Sequence, residues 1–278
     1  MVAMQATARL RCQVKYCRVR AMDDFYTEVP RALIATARDY AAGELFPEHQ
    51  HARGQFAYAA RGAISVHTPQ GSWLVPPQRA CWVPAQLSHG MRMHGGVAMH
   101  NVFIDDAAIA RSRLPPHCQV LEVSPLLRQL LAEAVAVDAL YAAASRAGRL
   151  MALLLDEIAA ARPLPLSAPL PQDARLARLC MELLRQPSLD SGLDAMAARA
   201  GMSRRTFTRL FRAQTGLGFA QWRQQACLLA AIARLADGQA VTRIALDLGY
   251  ASPSAFTAAF HRMLGRAPSA YLGQDTLP

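Results

Sequence analysis

Arg204, Arg205, Thr208, Arg209 and Arg212 fall within nine residues of one another. A guanidinium can grip the O6 and N7 edge of guanine with two hydrogen bonds, worth about 1–3 kcal/mol of discrimination. It can equally hold a backbone phosphate, which adds affinity and salt dependence but reads no sequence. Among these residues stand Phe207, Leu210 and Phe211. Their spacing of three and four makes one buried stripe of a helix whose other face is basic. A second group is His49 and His51. Alternate residues of a strand face the same side, and a set of imidazoles suits a divalent transition metal.

The elements that position the arginines are legible. Residues 199–210 read RAGMSRRTFTRL. Ala200 and Gly201 close one short helix, and Ser203 is placed to cap the next by accepting from its first free N–H groups. Short helix, Gly turn and basic amphipathic helix make a helix-turn-helix, whose second helix enters the DNA major groove. About fifty residues on, the pattern returns from Ile244 through Gly249, Ser252, Phe256 and Phe260 to Arg262. Between the units a helix is expected over Phe219–Ala236. At 1.5 Å per residue it is roughly 27 Å long, close to the roughly 34 Å between successive major grooves.

Upstream the texture is β. Short runs at Leu33–Ala37, Phe56–Ala60, Ala63–His67, Ser72–Val75, Ala80–Val83 and Ala98–Ile104 are separated by Gly and Pro, as in a sandwich or small barrel. Ser124-Pro125 opens one helix and Ser145 a second. These two either cover the β unit or form a dimer interface. Residues 162–171, RPLPLSAPLP, read as an extended, semi-rigid linker. The division is then a disordered extension over 1–22, a β unit over 23–120, a helical segment over 121–162, a Pro-rich linker over 163–172 and an all-α unit over 173–278. Met22 is an alternative start.

The 278 residues carry a net charge of +10. Residues 172–278 hold 13 Arg against 7 acids, so the positive charge is denser there, as a polyanion partner requires. The six cysteines are scattered without a CxxC pair, which favours reduced thiols over a disulfide framework or zinc site. No apolar run reaches the roughly 18 residues of a membrane helix. A signal peptide is not expected, because the basic residues of 1–20 precede no apolar core. A cytoplasmic location is therefore expected.

Residues 173–273 resemble the DNA-binding domain of AraC/XylS-family transcription regulators. The resemblance rests on Leu193, Ala197, Gly201, Ser203, Phe207, Leu210, Phe211 and Gly216, then Ile244, Gly249, Tyr250, Ser252, Phe256, Phe260, Gly265, Pro268 and Tyr271. It implies two DNA-reading units per chain, with bases read early in each recognition helix. In the first those positions hold Arg205, Thr208 and Arg209, while Arg204 and Arg212 suit phosphates, as Ser203 at the helix start also would. In the second they hold Ser254, Ala255 and Ala258, none able to form a two-bond base contact. Ala can still pack on a thymine methyl. Ser252, Thr257, His261 and Arg262 are placed for phosphates. The first unit is thus expected to carry most of the specificity.

Gly43, His49, His51, Gln55 and Gly62 resemble the first cupin motif at full spacing, with Gln55 where Glu is usual. Residues 84–93 resemble the second, with Gln86 in place of Gly, His89 retained and Met93 in place of Asn. The resemblance implies a small barrel with His49, His51 and His89 pointing inward, beside Gln55. Residues 75–84 and the His-x-His pair look most like regulators related to nickel-responsive repressors of metal efflux.

The expected architecture is therefore α+β multidomain: an N-terminal cupin-like β-barrel with helices, then a C-terminal all-α double helix-turn-helix. The expected function is a transcription regulator whose barrel senses an effector, a metal (Ni, Co, Zn, Cu or Fe) ahead of a small organic molecule. Its partners would be a double-stranded DNA operator, a second copy of the chain in a homodimer and, for an activator, RNA polymerase. No membrane and no enzymatic activity are expected. The alternatives are a cupin metalloenzyme (oxygenase or isomerase) fused to a DNA-binding module, against which Gln55 counts, and a constitutive binder with a purely structural barrel.

Overall fold

The computed structural model describes residues 29–190, 192–265 and 267–271. The expected extension at 1–22, with Met22, lies outside them. Seven strands come first: β1 (Leu33–Tyr40), β2 (Leu45–His49), β3 (Gly54–Thr68), β4 (Gly71–Val75), β5 (Arg79–Val83), β6 (His89–Ile104) and β7 (Gln119–Glu122). The long strands β3 and β6 pair along most of their length and form the spine. β1 and β2 add to β6, while β5 and β4 take successive halves of β3. The runs at Phe56–Ala60 and Ala63–His67 are one strand, bent where its register with β6 shifts. Gly62 allows the bend: its φ is +71°, and a Cβ there would lie 2.7 Å from the Gly96 carbonyl.

The helix α1 (Asp106–Ser112), capped by Asp105, was not legible. The helices α2 (Pro125–Ala134) and α3 (Arg146–Ala160) begin where expected, with the Ser124 and Ser145 hydroxyls accepting from the N–H groups of Leu127 and Gly148. Leu127, Leu131, Met151, Leu154 and Ile158 pack with Phe56, Tyr58 and Trp82 of the sheet's outer face. The two helices therefore cover the barrel.

The Pro-rich stretch is extended but woven into the sheet. β8 (Pro163–Leu164) pairs with β7, and β9 (Ser167–Pro169) with β4, so the sheet continues beyond residue 120. Proline cannot donate to a ladder and is tolerated at such edges.

The rest is helical: α4 (Ala174–Arg185), α5 (Leu193–Arg199), α6 (Arg204–Thr215), α7 (Phe219–Ala236), α8 (Val241–Asp247) and α9 (Pro253–Leu264), then a single 3₁₀ turn at Pro268–Tyr271. The barrel interior and the helical half share one continuous core, from Ile64, Leu74 and Met93 to Trp222, Ile232 and Phe256. α7 also reaches the barrel through polar bonds. Trp222 Nε1 donates to the Pro169 carbonyl at 2.8 Å and Gln225 Nε2 to that of Pro165 at 2.6 Å.

Candidate functional site: a double DNA reader and a histidine cluster

Each reading unit is held by an aromatic core under a capped recognition helix. In α6, Phe207 and Phe211 stack at 5.6 Å and both meet Phe219 edge-on. In α9, Phe256 packs against Tyr250 and Phe260 at 5.2 and 5.5 Å. Ser203 accepts from the Thr206 N–H at 3.2 Å, and Ser252 from that of Ala255 at 3.1 Å. Gly201 and Gly249 turn the chain between paired helices with φ of +65° and +79°.

This packing leaves Arg205, Thr208, Arg209 and Arg212 exposed on one side of α6, and Ser254, Ala255 and Ala258 exposed on α9 with Arg262. Arg204 points elsewhere than expected. Its guanidinium meets the Asp194 carboxylate of α5 at 3.1 Å, bracing the two helices of the unit. Thr257 is half-buried and donates to the Pro253 carbonyl at 2.9 Å.

His49, His51 and His89 converge as expected, each offering a ring nitrogen within 4.8 Å of the others. Strand alternation is not the whole reason. β2 ends at His49, which pairs with His89 of β6, and its register slips after Phe46. His51 lies in the following turn, where its carbonyl accepts from the Gln86 N–H at 2.9 Å. Gln86 itself has φ +61°, the left-handed backbone that favours Gly at this motif position.

Backbone carbonyls fix all three rings. The Nδ1 of His49, His51 and His89 lies 3.0, 2.5 and 2.8 Å from the carbonyls of Pro47, Arg53 and Leu87. A carbonyl only accepts, so each Nδ1 carries the proton and each Nε2 of the neutral ring keeps its lone pair. His89 Nε2 is buried without a hydrogen-bond partner. Burial, more than the neighbouring histidines, pushes the His89 pKa down to about 3 against the raising bond to Leu87. The Gln55 amide lies 3.1 Å from His51 Nε2 and bonds onward to Asn101 at 2.8 Å. The Gln55 Oε1 faces the ring and its NH₂ donates to Asn101 Oδ1; turning both amides over would present the Gln55 NH₂ to the Nε2 lone pair.

The cavity beside the cluster holds only about 50 Å³ and is lined by His49, His51, Gln55, Tyr40, Met91 and Phe103 among others. That is room for a water or an ion, each water occupying about 30 Å³. A buried lone pair with no donor on His89, with His49 and His51 each offering a ring nitrogen within 4.8 Å, fits a Lewis-acidic cation. Outer carbonyl bonds that orient imidazoles are usual around such ions.

Residues 196–274 match the helix-turn-helix domain family, and residues 32–154 match the AraC-like ligand binding domain family. The chain is 32% identical over 230 residues to the HTH-type transcriptional regulator NimR of Escherichia coli, spanning 83% of each. The chain belongs to the AraC family. It is a transcription regulator with a ligand-binding domain and a DNA-binding domain. The regulator RipA of Corynebacterium glutamicum is 32% identical over 37% of this chain and 31% of its own length. Among solved structures, the DNA-binding domain of AdpA in complex with a target DNA is 36% identical over 34% of this chain and 87% of that one, with a TM-score of 0.33. ToxT of Vibrio cholerae, bound to an unsaturated fatty acid, is 11% identical over 88% and 96%, with a TM-score of 0.36.

Within this AraC-family chain the sequence pointed to the imidazoles but not to their supports. Asn101 carries no motif signal, and the orienting carbonyls of Pro47, Arg53 and Leu87 are invisible to residue type. No described helix is long and apolar enough to cross a membrane. Cys81, Cys118, Cys180 and Cys227 are buried free thiols.

Proposed function

We propose that this AraC-family regulator senses a divalent transition metal, Ni, Co, Zn, Cu or Fe, through His49, His51 and His89, with Gln55 beside them. The observation that carries the reading is the buried, partnerless Nε2 of His89, with His49 and His51 each offering a ring nitrogen within 4.8 Å and a cavity of about 50 Å³ beside the cluster. A cavity of that size is far below the roughly 300–1,000 Å³ that organic ligands occupy. The bound ion would shift the balance between DNA-competent and DNA-incompetent arrangements by its differential affinity for the two. The operator is double-stranded DNA, read mainly by Arg205, Thr208 and Arg209 of α6 and positioned by Arg212, Ser252, Arg262 and the α9 face. The chain acts as a homodimer. Leu126 of α2 and Leu153 of α3, large apolar side chains left 49% and 43% exposed on the covering helices, support this reading.

Elemental analysis of the tag-free chain tests this, alongside His49→Ala/His51→Ala and after equilibration with each metal. About one ion per wild-type chain, lost in the double variant, is the expected result. No retained metal in either protein would refute it. A small organic effector is the second reading, favoured by a cleft of about 760 Å³ between the barrel and α7, lined by Trp73, Leu74, Arg92 and Leu229 among others.

A further inference from the structure

The barrel holds the DNA-binding half at two places that differ in kind. Near the start of α7 the hold is apolar, with Trp222 fully buried in the shared core and bonded to the Pro169 carbonyl. At the end of α7 the hold is polar. Asp237, the C-cap of that helix, reaches back to strand β6. Its Oδ2 lies 3.2 Å from His94 Nδ1, and its Oδ1 accepts the Gly95 N–H at 2.8 Å. Ser65 of β3 completes the chain, its Oγ 2.8 Å from His94 Nε2.

Three features show that this contact, and not the helix, explains the residues present. An 18-residue helix disfavours a carboxylate at its C-terminal end, where the helix dipole is already negative. Asp237 therefore lacks a rationale within α7 and finds one in the barrel. Gly95 has φ +66°, and a Cβ there would lie 2.6 Å from the Ala236 carbonyl. Only glycine lets the β6 turn approach the helix end so closely. Finally, the grip sits at the junction with the second reading unit. Gly238, with φ +80°, turns the chain directly after Asp237, and α8 begins at Val241.

We propose that His94, Gly95 and Asp237 form a latch by which the barrel restrains the second helix-turn-helix unit. With α7 fixed at both ends, the recognition helix α9 cannot adjust to the groove it must enter. Opening the polar end frees α8 and α9 while the apolar end still holds the first unit. The latch requires no effector and stands apart from the metal reading.

The test uses the full chain in the presence of chelator, with an operator duplex selected in vitro by the wild-type protein. Asp237→Ala and His94→Ala are each expected to tighten operator binding at least fivefold. They should also speed amide hydrogen exchange in α8 and α9 but not in α5 and α6. The double variant should match the singles, because both break one contact. Gly95→Ala, which wedges the turn from the helix end without touching either side chain, should reproduce the effect. Unchanged affinity with unchanged exchange would overturn the proposal. Weaker binding in the Asp237 and His94 variants would overturn it too, since the contact would then hold the DNA-competent arrangement.

Discussion

His49 and His89 stand opposite each other across the β2–β6 pair, with ring centroids 4.4 Å apart and both Nδ1 groups tied to carbonyls two residues earlier. The backbone thus presents both imidazoles with their Nε2 lone pairs free to bind. The third ring, His51, sits 5.0 Å from His89. The unpaired, buried His89 lone pair costs stability, a cost that the proposed cation would offset on binding.

On the proposed reading, the first unit carries most of the sequence discrimination. Arg209→Ala is expected to lower affinity for the selected operator by about 1–3 kcal/mol and to relax one base position. Ser254→Ala should change it less than threefold. Competition binding against a single-substitution operator library checks this, and an equal or larger loss from Ser254→Ala would contradict it.

On the proposed reading, Arg212 contributes affinity without reading sequence. Arg212→Ala should weaken binding to all duplexes alike and reduce the salt slope by about one phosphate contact. Titrations at several salt concentrations measure both. Arg204→Ala should act differently. Because Arg204 pairs with Asp194, its loss should leave the salt slope nearly unchanged.

Acid should destabilise the chain. Burial, opposed by Asp237, lowers the His94 pKa, and burial also lowers that of His100. Unfolded histidines titrate near 6.5. Below that pH the unfolded chain binds the extra protons, so stability is full above about 6.5 and declines as pH falls towards the lowered folded values. The slope is at most about 1.4 kcal/mol per pH unit for each group. Denaturant unfolding at pH 7.5 and 5.5 should show the loss, and His100→Gln should lessen it. A midpoint that does not move with pH would contradict this.

The proposed homodimer would be built on the exposed side of the covering helices. Light scattering at micromolar concentration should give a dimer mass, and Leu126→Glu/Leu153→Glu a monomer with its fold retained. A monomeric wild-type chain would count against the dimer.

What was legible in the sequence was local. Ser203, Ser124 and Ser145 announce their helices because a cap bonds its own first turn, and each does so here; Ser252, placed by the sequence for phosphates, turns out to cap α9 in the same way. The stripes of α6 and α9 follow from helical period alone. The imidazole cluster was legible by motif spacing. The reason was only half right, because His51 faces inward from a turn held by Gln86 and not from the strand. Long-range pairings left no pattern to read. His94 and Asp237 are 143 residues apart, and neither type nor spacing joins them. The prolines of 163–169 read as a linker because proline weakens any strand signal, yet edge pairing to β4 and β7 needs few of the missing donors. Arg204 looked like its neighbours on the basic face, and only Asp194 on the adjoining helix sets it apart.

The most direct test of the metal-sensing account is operator affinity with and without metal. The Kd of the chelated chain is compared with that after one equivalent each of Ni, Co, Zn, Cu or Fe(II), for wild type and His49→Ala/His51→Ala. The account predicts that at least one metal changes the wild-type Kd fivefold or more and leaves the double variant unmoved. An unchanged Kd for every metal, or an equal response in the double variant, would contradict it.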